Sequence, residues 1–204
     1  MVQKLPYLKE TPSQTAGPYV HIGCLPNFCG IEGVFAADLG SVMVGERTKG
    51  ERITLTGRVI DGTGTPLKDA MIEIWQADAD GLYNSPSELR GTADPAFTGW
   101  GRRAVDQDTG VYSFDTIKPG RVPAPDGSLQ APHINVWIVA RGINIGLNTR
   151  IYFPEEEAAN AADPVLARIE HKNRIPTLIA RREGATLIHD IRLQGEGETV
   201  FFDI

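Results

Sequence analysis

Glycine and proline interrupt this sequence so often that no long element has room to form. Scattered without a period through 204 residues are 22 Gly and 14 Pro, and the apolar runs between them are short. Proline removes a ladder donor and glycine weakens an element interior, so the pattern calls for short strands joined by turns. Ile53 to Ile60 (ITLTGRVI) alternates Ile53, Leu55, Gly57 and Val59 with Thr54, Thr56 and Arg58, the period of a half-buried strand. Ala70 to Gln76 predicts a second strand, ended by Asp78-Ala79-Asp80-Gly81. Those aspartates read as turn chemistry, because the later ligands of a calcium loop are missing. Trp100 to Val105 and Val111 to Ile117 flank Asp106–Gly110 and predict a hairpin. His133 to Ala140, Ile143 to Phe153, Leu187 to Leu193 and Thr199 to Ile204 have strand composition, whereas Lys118 to Pro132 is too rich in proline for a ladder. A loop that long is a candidate for function.

Helix starts are expected at Pro154, before three glutamates, and at Asp163-Pro164, with Asp163 as N-cap; Pro176 to Arg182 predicts a third short helix. Thr11 to Tyr19 suits neither helix nor strand. The expectation is a mainly β protein, an antiparallel β-sandwich with short helices towards the C-terminal end. It would form one domain over residues 1–204, with an N-terminal loop or arm over about residues 1–20.

Charge and composition narrow the function. With 20 Lys+Arg against 26 Asp+Glu the net charge is −6, which argues against nucleic acid as a partner. The longest lipophilic stretch, Val136 to Ala140, is far too short for a membrane span. Met1 to Glu10 lacks the apolar core of a leader, so a cytoplasmic location is expected. Cys24 and Cys29 read as reduced thiols; the competing zinc reading, with His21, lacks a fourth ligand at tight spacing. Neither a nucleophile elbow nor a phosphate loop is present.

Seven runs carry a more specific signal: TPSQTAGPYVHIG, EIWQADADGLY, TIKPG, APHIN, ARGINIG, TRIYF and QGEGETVFFD, in order from Thr11 to Asp203. Together they resemble the intradiol ring-cleavage dioxygenases, and among these the alpha-type chain of the heteromeric members that cleave protocatechuate. In that family a catalytic chain holds ferric iron with two tyrosines and two histidines, anionic oxygen donors favouring the ferric state. The resemblance places the first tyrosine at Tyr83. The second should follow Lys118-Pro119-Gly120, where this sequence has Arg121 and then Val122; the His-x-His pair reads His133-Ile134-Asn135. Two of four ligands rarely hold a catalytic iron, so the expectation is that this chain binds none. Tyr83 and His133 would then be hydrogen-bonded residues of a vestigial pocket.

What the resemblance implies instead is a subunit lining the site of an iron-bearing beta chain. Fe(III) would belong to that partner, which would cleave protocatechuate with O2 to 3-carboxy-cis,cis-muconate in a higher oligomer of alpha-beta pairs. The lining residues map to Thr15, Gly17, Pro18, Tyr19 and Arg141. Gly17 and Pro18 would let backbone approach a flat ring, Tyr19 would offer an aromatic edge and a hydroxyl, and Arg141 a permanent charge for a carboxylate. Trp75, Trp100 and Trp137 are assigned to packing. The rival is a non-catalytic, prealbumin-like binding module, to which Gly57 to Gln76 would be suited.

Overall fold

The computed structural model describes residues 14–144 and 146–203. Two sheets face each other across one apolar core. Strand β1 (Arg52–Ile60) is the spine of the first, and its alternation buries Ile53, Leu55 and Val59. β4 (Val111–Ile117) runs antiparallel along one edge, from Arg52 opposite Ile117 to Arg58 opposite Val111. The other edge takes β8 (Thr186–Ile188) and β9 (Ile191–Arg192), both parallel to β1, and β7 (Arg181–Glu183) closes the outside of β8.

The second sheet has the order β3 (Trp100–Ala104), β2 (Met71–Trp75), β5 (His133–Val139), β6 (Leu147–Tyr152), all antiparallel. Its inner face contributes Ile72, Ile74, Ile134, Val136, Ile138 and Ile151, packed against Ile53, Leu55, Tyr112, Phe114 and Ile117 of the first. Burial of each such side chain is worth about 1.5–3 kcal/mol. This interior holds the sheets together and fixes which residues of β2, β5 and β6 must point outward.

Several expectations change. The hairpin predicted across Asp106–Gly110 is a crossing between layers: Asp106 N donates to Val111 O at 2.8 Å, yet β3 pairs with β2 and β4 with β1. A tight turn fixes where the chain reverses, and burial decides which sheet each strand joins. Helix α1 (Pro18–Cys24) starts inside the segment expected to be irregular, with Pro18 in its first turn, where a missing N–H costs nothing. Pro176 lies inside a 3-10 segment, Lys172–Leu178, and residues 181–183 form β7 instead of a helix end. The 187–193 run is split by His189-Asp190 into β8 and β9. The expected strand at 199–204 is reduced, over its described part, to a bridge between Asn148 and Phe202.

The helix expected to start at Pro154 begins instead at Glu157, with Glu156 as N-cap (α2, Glu157–Ala161). The N-cap of the 3-10 turn Leu166–Arg168 is Val165 and not Asp163 as expected, although Asp163 Oδ1 accepts from Val165 N and Leu166 N at 2.8 and 2.9 Å just before it. Asp163 Oδ2 also accepts from Ala131 N at 2.7 Å, tying the proline-rich loop to the C-terminal segments.

Candidate functional site

The outward-facing residues of β2, β5 and β6 form two clusters. One begins with the Asp78–Leu82 turn. Asp78 Oδ1 accepts from Asp80 N and Leu82 N, while Gly81 takes φ +80° with no room for a Cβ, which would lie 2.2 Å from Arg121 O. That turn delivers Tyr83, whose N–H donates to Glu88 Oε2 at 3.0 Å and whose ring stacks on Trp75 at 5.7 Å. Across β5, His133 stands opposite Tyr152 and Asn135 opposite Arg150. His133 is buried, its Nδ1 donates to Ala131 O at 2.8 Å, and its Nε2 is buried without a partner. Burial, and then the Arg150 charge, push the His133 pKa down to about 4; burial raises the Tyr83 phenol against the opposing pull of Asn135 and Arg150.

These residues do not fit a ferric ion. Val122 is buried and supplies no donor, and the Asn135 amide donates to Trp75 O at 3.1 Å. A guanidinium acts on both remaining positions: Arg150 Nη1 donates to Gln130 Oε1 at 2.8 Å, and the Arg150 charge bears on both Tyr83 and His133. A fixed cation here opposes a second, trivalent one. Among the described residues no group of three His, Cys, Asp or Glu side chains is placed to hold a metal, the His21, Cys24 and Cys29 set included. Both thiols are free.

The second cluster lies at the other end of β5. Thr15 Oγ1 donates to Ala140 O at 3.3 Å and accepts from Gly142 N at 2.8 Å; Gln14 N donates to Asn144 Oδ1 at 2.8 Å. These bonds pin Gln14 and Thr15 beside the Arg141 turn. Gly17 is the N-cap of α1, followed by Pro18 and by Tyr19, which is 83% exposed. The Arg141 side chain is 83% exposed and meets Asp69 Oδ2 at 3.5 Å. Of the five lining positions expected from the sequence, Thr15 is bonded to Ala140 and Gly142, the neighbours of Arg141, and Gly17, Pro18 and Tyr19 follow it in the chain. The seven-residue strand β5, about 20 Å from His133 to Val139 at ~3.3 Å per residue, separates His133 from the turn that carries Arg141. Arg141 and its neighbours therefore cannot line the pocket of their own Tyr83 and His133.

The residues match a family model described as Dioxygenase over 26–195. The chain belongs to the intradiol dioxygenase family. A protocatechuate 3,4-dioxygenase alpha chain of Pseudomonas putida is 47% identical over 96% of this chain and 97% of its own length. A protocatechuate 3,4-dioxygenase beta chain of Burkholderia cepacia is 37% identical, over 58% of this chain and 48% of its own. The dioxygenase domain of a dioxygenase carbohydrate-binding fusion from Streptomyces sp. SirexAA-E superposes with a TM-score of 0.54 at 24% identity, covering 94% of this chain and 100% of that one, a likeness of fold.

Sequence reasoning missed Arg150, Gln130 and the surroundings of the tryptophans. Arg150 lies in the run TRIYF, opposite Asn135, and pairing that run with APHIN would have found it. Trp75 and Trp137 pack as assigned, on Tyr83 and against the Leu25, Met71 and Val139 cluster, and with Trp100 they also line a cavity on the outer face of their sheet.

Proposed function

We infer that this chain is the alpha subunit of a protocatechuate 3,4-dioxygenase. It leaves Fe(III) to a beta chain and lends Thr15, Gly17, Pro18, Tyr19 and Arg141 to the wall of that chain's site. The observation that carries this reading is the separation of the two clusters. The residues suited to an aromatic carboxylate stand at the surface, far from Tyr83 and His133, the remnants of a metal site. Such a set needs a neighbour to act on.

The surface between Tyr19 and Val42 supports that neighbour. Ile22, Phe28, Val34, Phe35, Leu39 and Val42 are all exposed there, an apolar accumulation that marks an interaction site. A subunit of the same family is the partner the relatives' names imply, and closed oligomers of alpha-beta pairs are the expected assembly. No helix among the described residues is long and apolar enough to cross a membrane, and the proposed location is the cytoplasm. Near-full-length similarity to an alpha chain leaves the binding-module reading without a supporting observation.

Co-expression tests the reading. The full chain purified alone should not consume O2 with protocatechuate, and with a beta chain it should form a complex that does. Failure of the two chains to associate would overturn the assignment.

A further inference from the structure

All three tryptophans of the chain, Trp75, Trp100 and Trp137, line one cavity of about 710 Å³ on the outer face of the second sheet. This lies within the range of small-molecule sites. Arg150 and Asn135 contribute polar groups to one part of it, and Phe202, in the C-terminal segment, adds an apolar one. Several polar groups of the lining have partners. Glu73 is held by Arg102 and accepts from Trp100 Nε1, and Arg174 pairs with Glu198. Of the two half-buried arginines in the lining, Arg174 has that carboxylate, whereas Arg150 bonds only to the neutral Gln130 and Tyr152 and has no described carboxylate within ion-pair distance; the third, Arg168, is exposed. A guanidinium drawn partly out of water beside flat indoles is short of an anion, and its planar fork suits a carboxylate.

We propose that this cavity binds an aromatic carboxylate, ring against the tryptophans and carboxylate on Arg150. Binding of this kind requires no metal, and the inference goes beyond the subunit assignment. The chain would carry a ligand site of its own, whatever the partner binds.

Benzoate is the probe, because it has no hydroxyls with which to bind iron, and benzamide is its neutral counterpart. Titrated into the full chain, benzoate should quench the tryptophan emission saturably, at a dissociation constant at least tenfold below that of benzamide. Arg150→Met should abolish that preference, and Arg150→Lys should keep part of it. In the complex with the beta chain, equilibrium dialysis should count one more benzoate per pair for the wild type than for Arg150→Met. Equal affinity for benzoate and benzamide, or no saturable quenching, would overturn the proposal without touching the subunit assignment, which stands on co-expression. Tryptophans shielded from acrylamide in the complex, with no benzoate difference between wild type and variant, would show a partner segment in the cavity and overturn it too.

Discussion

Arg141 and His133 differ in their surroundings, one exposed and one buried, and so in what their loss should do. Arg141 is exposed and its contact with Asp69 is a surface pair at 3.5 Å, worth ~0–1 kcal/mol at most. Arg141→Ala should therefore leave the melting temperature of the complex nearly unchanged. Iron content should stay full while kcat/KM for protocatechuate falls about tenfold or more, a loss of about 1.4 kcal/mol. Steady-state kinetics beside metal analysis checks both arms, and unchanged kinetics would remove Arg141 from the partner's site. The resemblance implied ligand positions at Val122 and Asn135, and residue identity alone tells that valine offers no donor there and that asparagine offers only a neutral amide. What the sequence did not show was the cation between the surviving positions. Arg150 comes from a strand paired across space, and only the β5/β6 register places it there.

At the scale of elements, local patterns located the strands and long-range pairing decided their partners. Alternation in residues 53–60 and 111–117 gave β1 and β4 nearly to the residue, because each has one face in a common core. The Asp106–Gly110 turn was legible as a turn, but not as a crossing between sheets, since the same five residues serve either. Gly57 shows a constraint that only the fold reveals. A Cβ there would lie 1.9 Å from His189 O, so the link between β8 and β9 can approach β1 only past a bare Cα. Gly57→Ala should separate β9 from β1 and lower stability by about 3 kcal/mol or more. Thermal unfolding would check it, and a shift of under a degree would contradict the packing account. Asp163→Ala removes an acceptor for three backbone N–H groups, at Ala131, Val165 and Leu166. A loss of about 2–4 kcal/mol is expected, together with faster hydrogen exchange at Ala131; native-like exchange there would argue against the tie.

For the whole molecule, two buried histidines set the acid limit. His133 and His189 are both pushed down to about 4, chiefly by burial, and each has an Nε2 without a partner. In the unfolded chain each titrates near ~6.5. Above that pH both states hold the neutral ring and stability is at its full value. As pH falls from about 6.5 to about 4, the unfolded state takes up protons that the folded state refuses, and stability declines by a few kcal/mol per histidine. Urea unfolding of the full chain between pH 7.5 and 4.5 should show this slope, and His133→Gln should flatten it; a flat wild-type profile would mean that the rings are not held neutral.

One division of labour underlies the proposed function, iron on the partner and pocket wall on this chain. Metal analysis of the purified complex, with subunit stoichiometry, tests it most directly. One ferric ion per alpha-beta pair, with this chain iron-free when isolated from the same cells, is the predicted result. Two irons per pair, or stoichiometric ferric iron in this chain by itself, would contradict it.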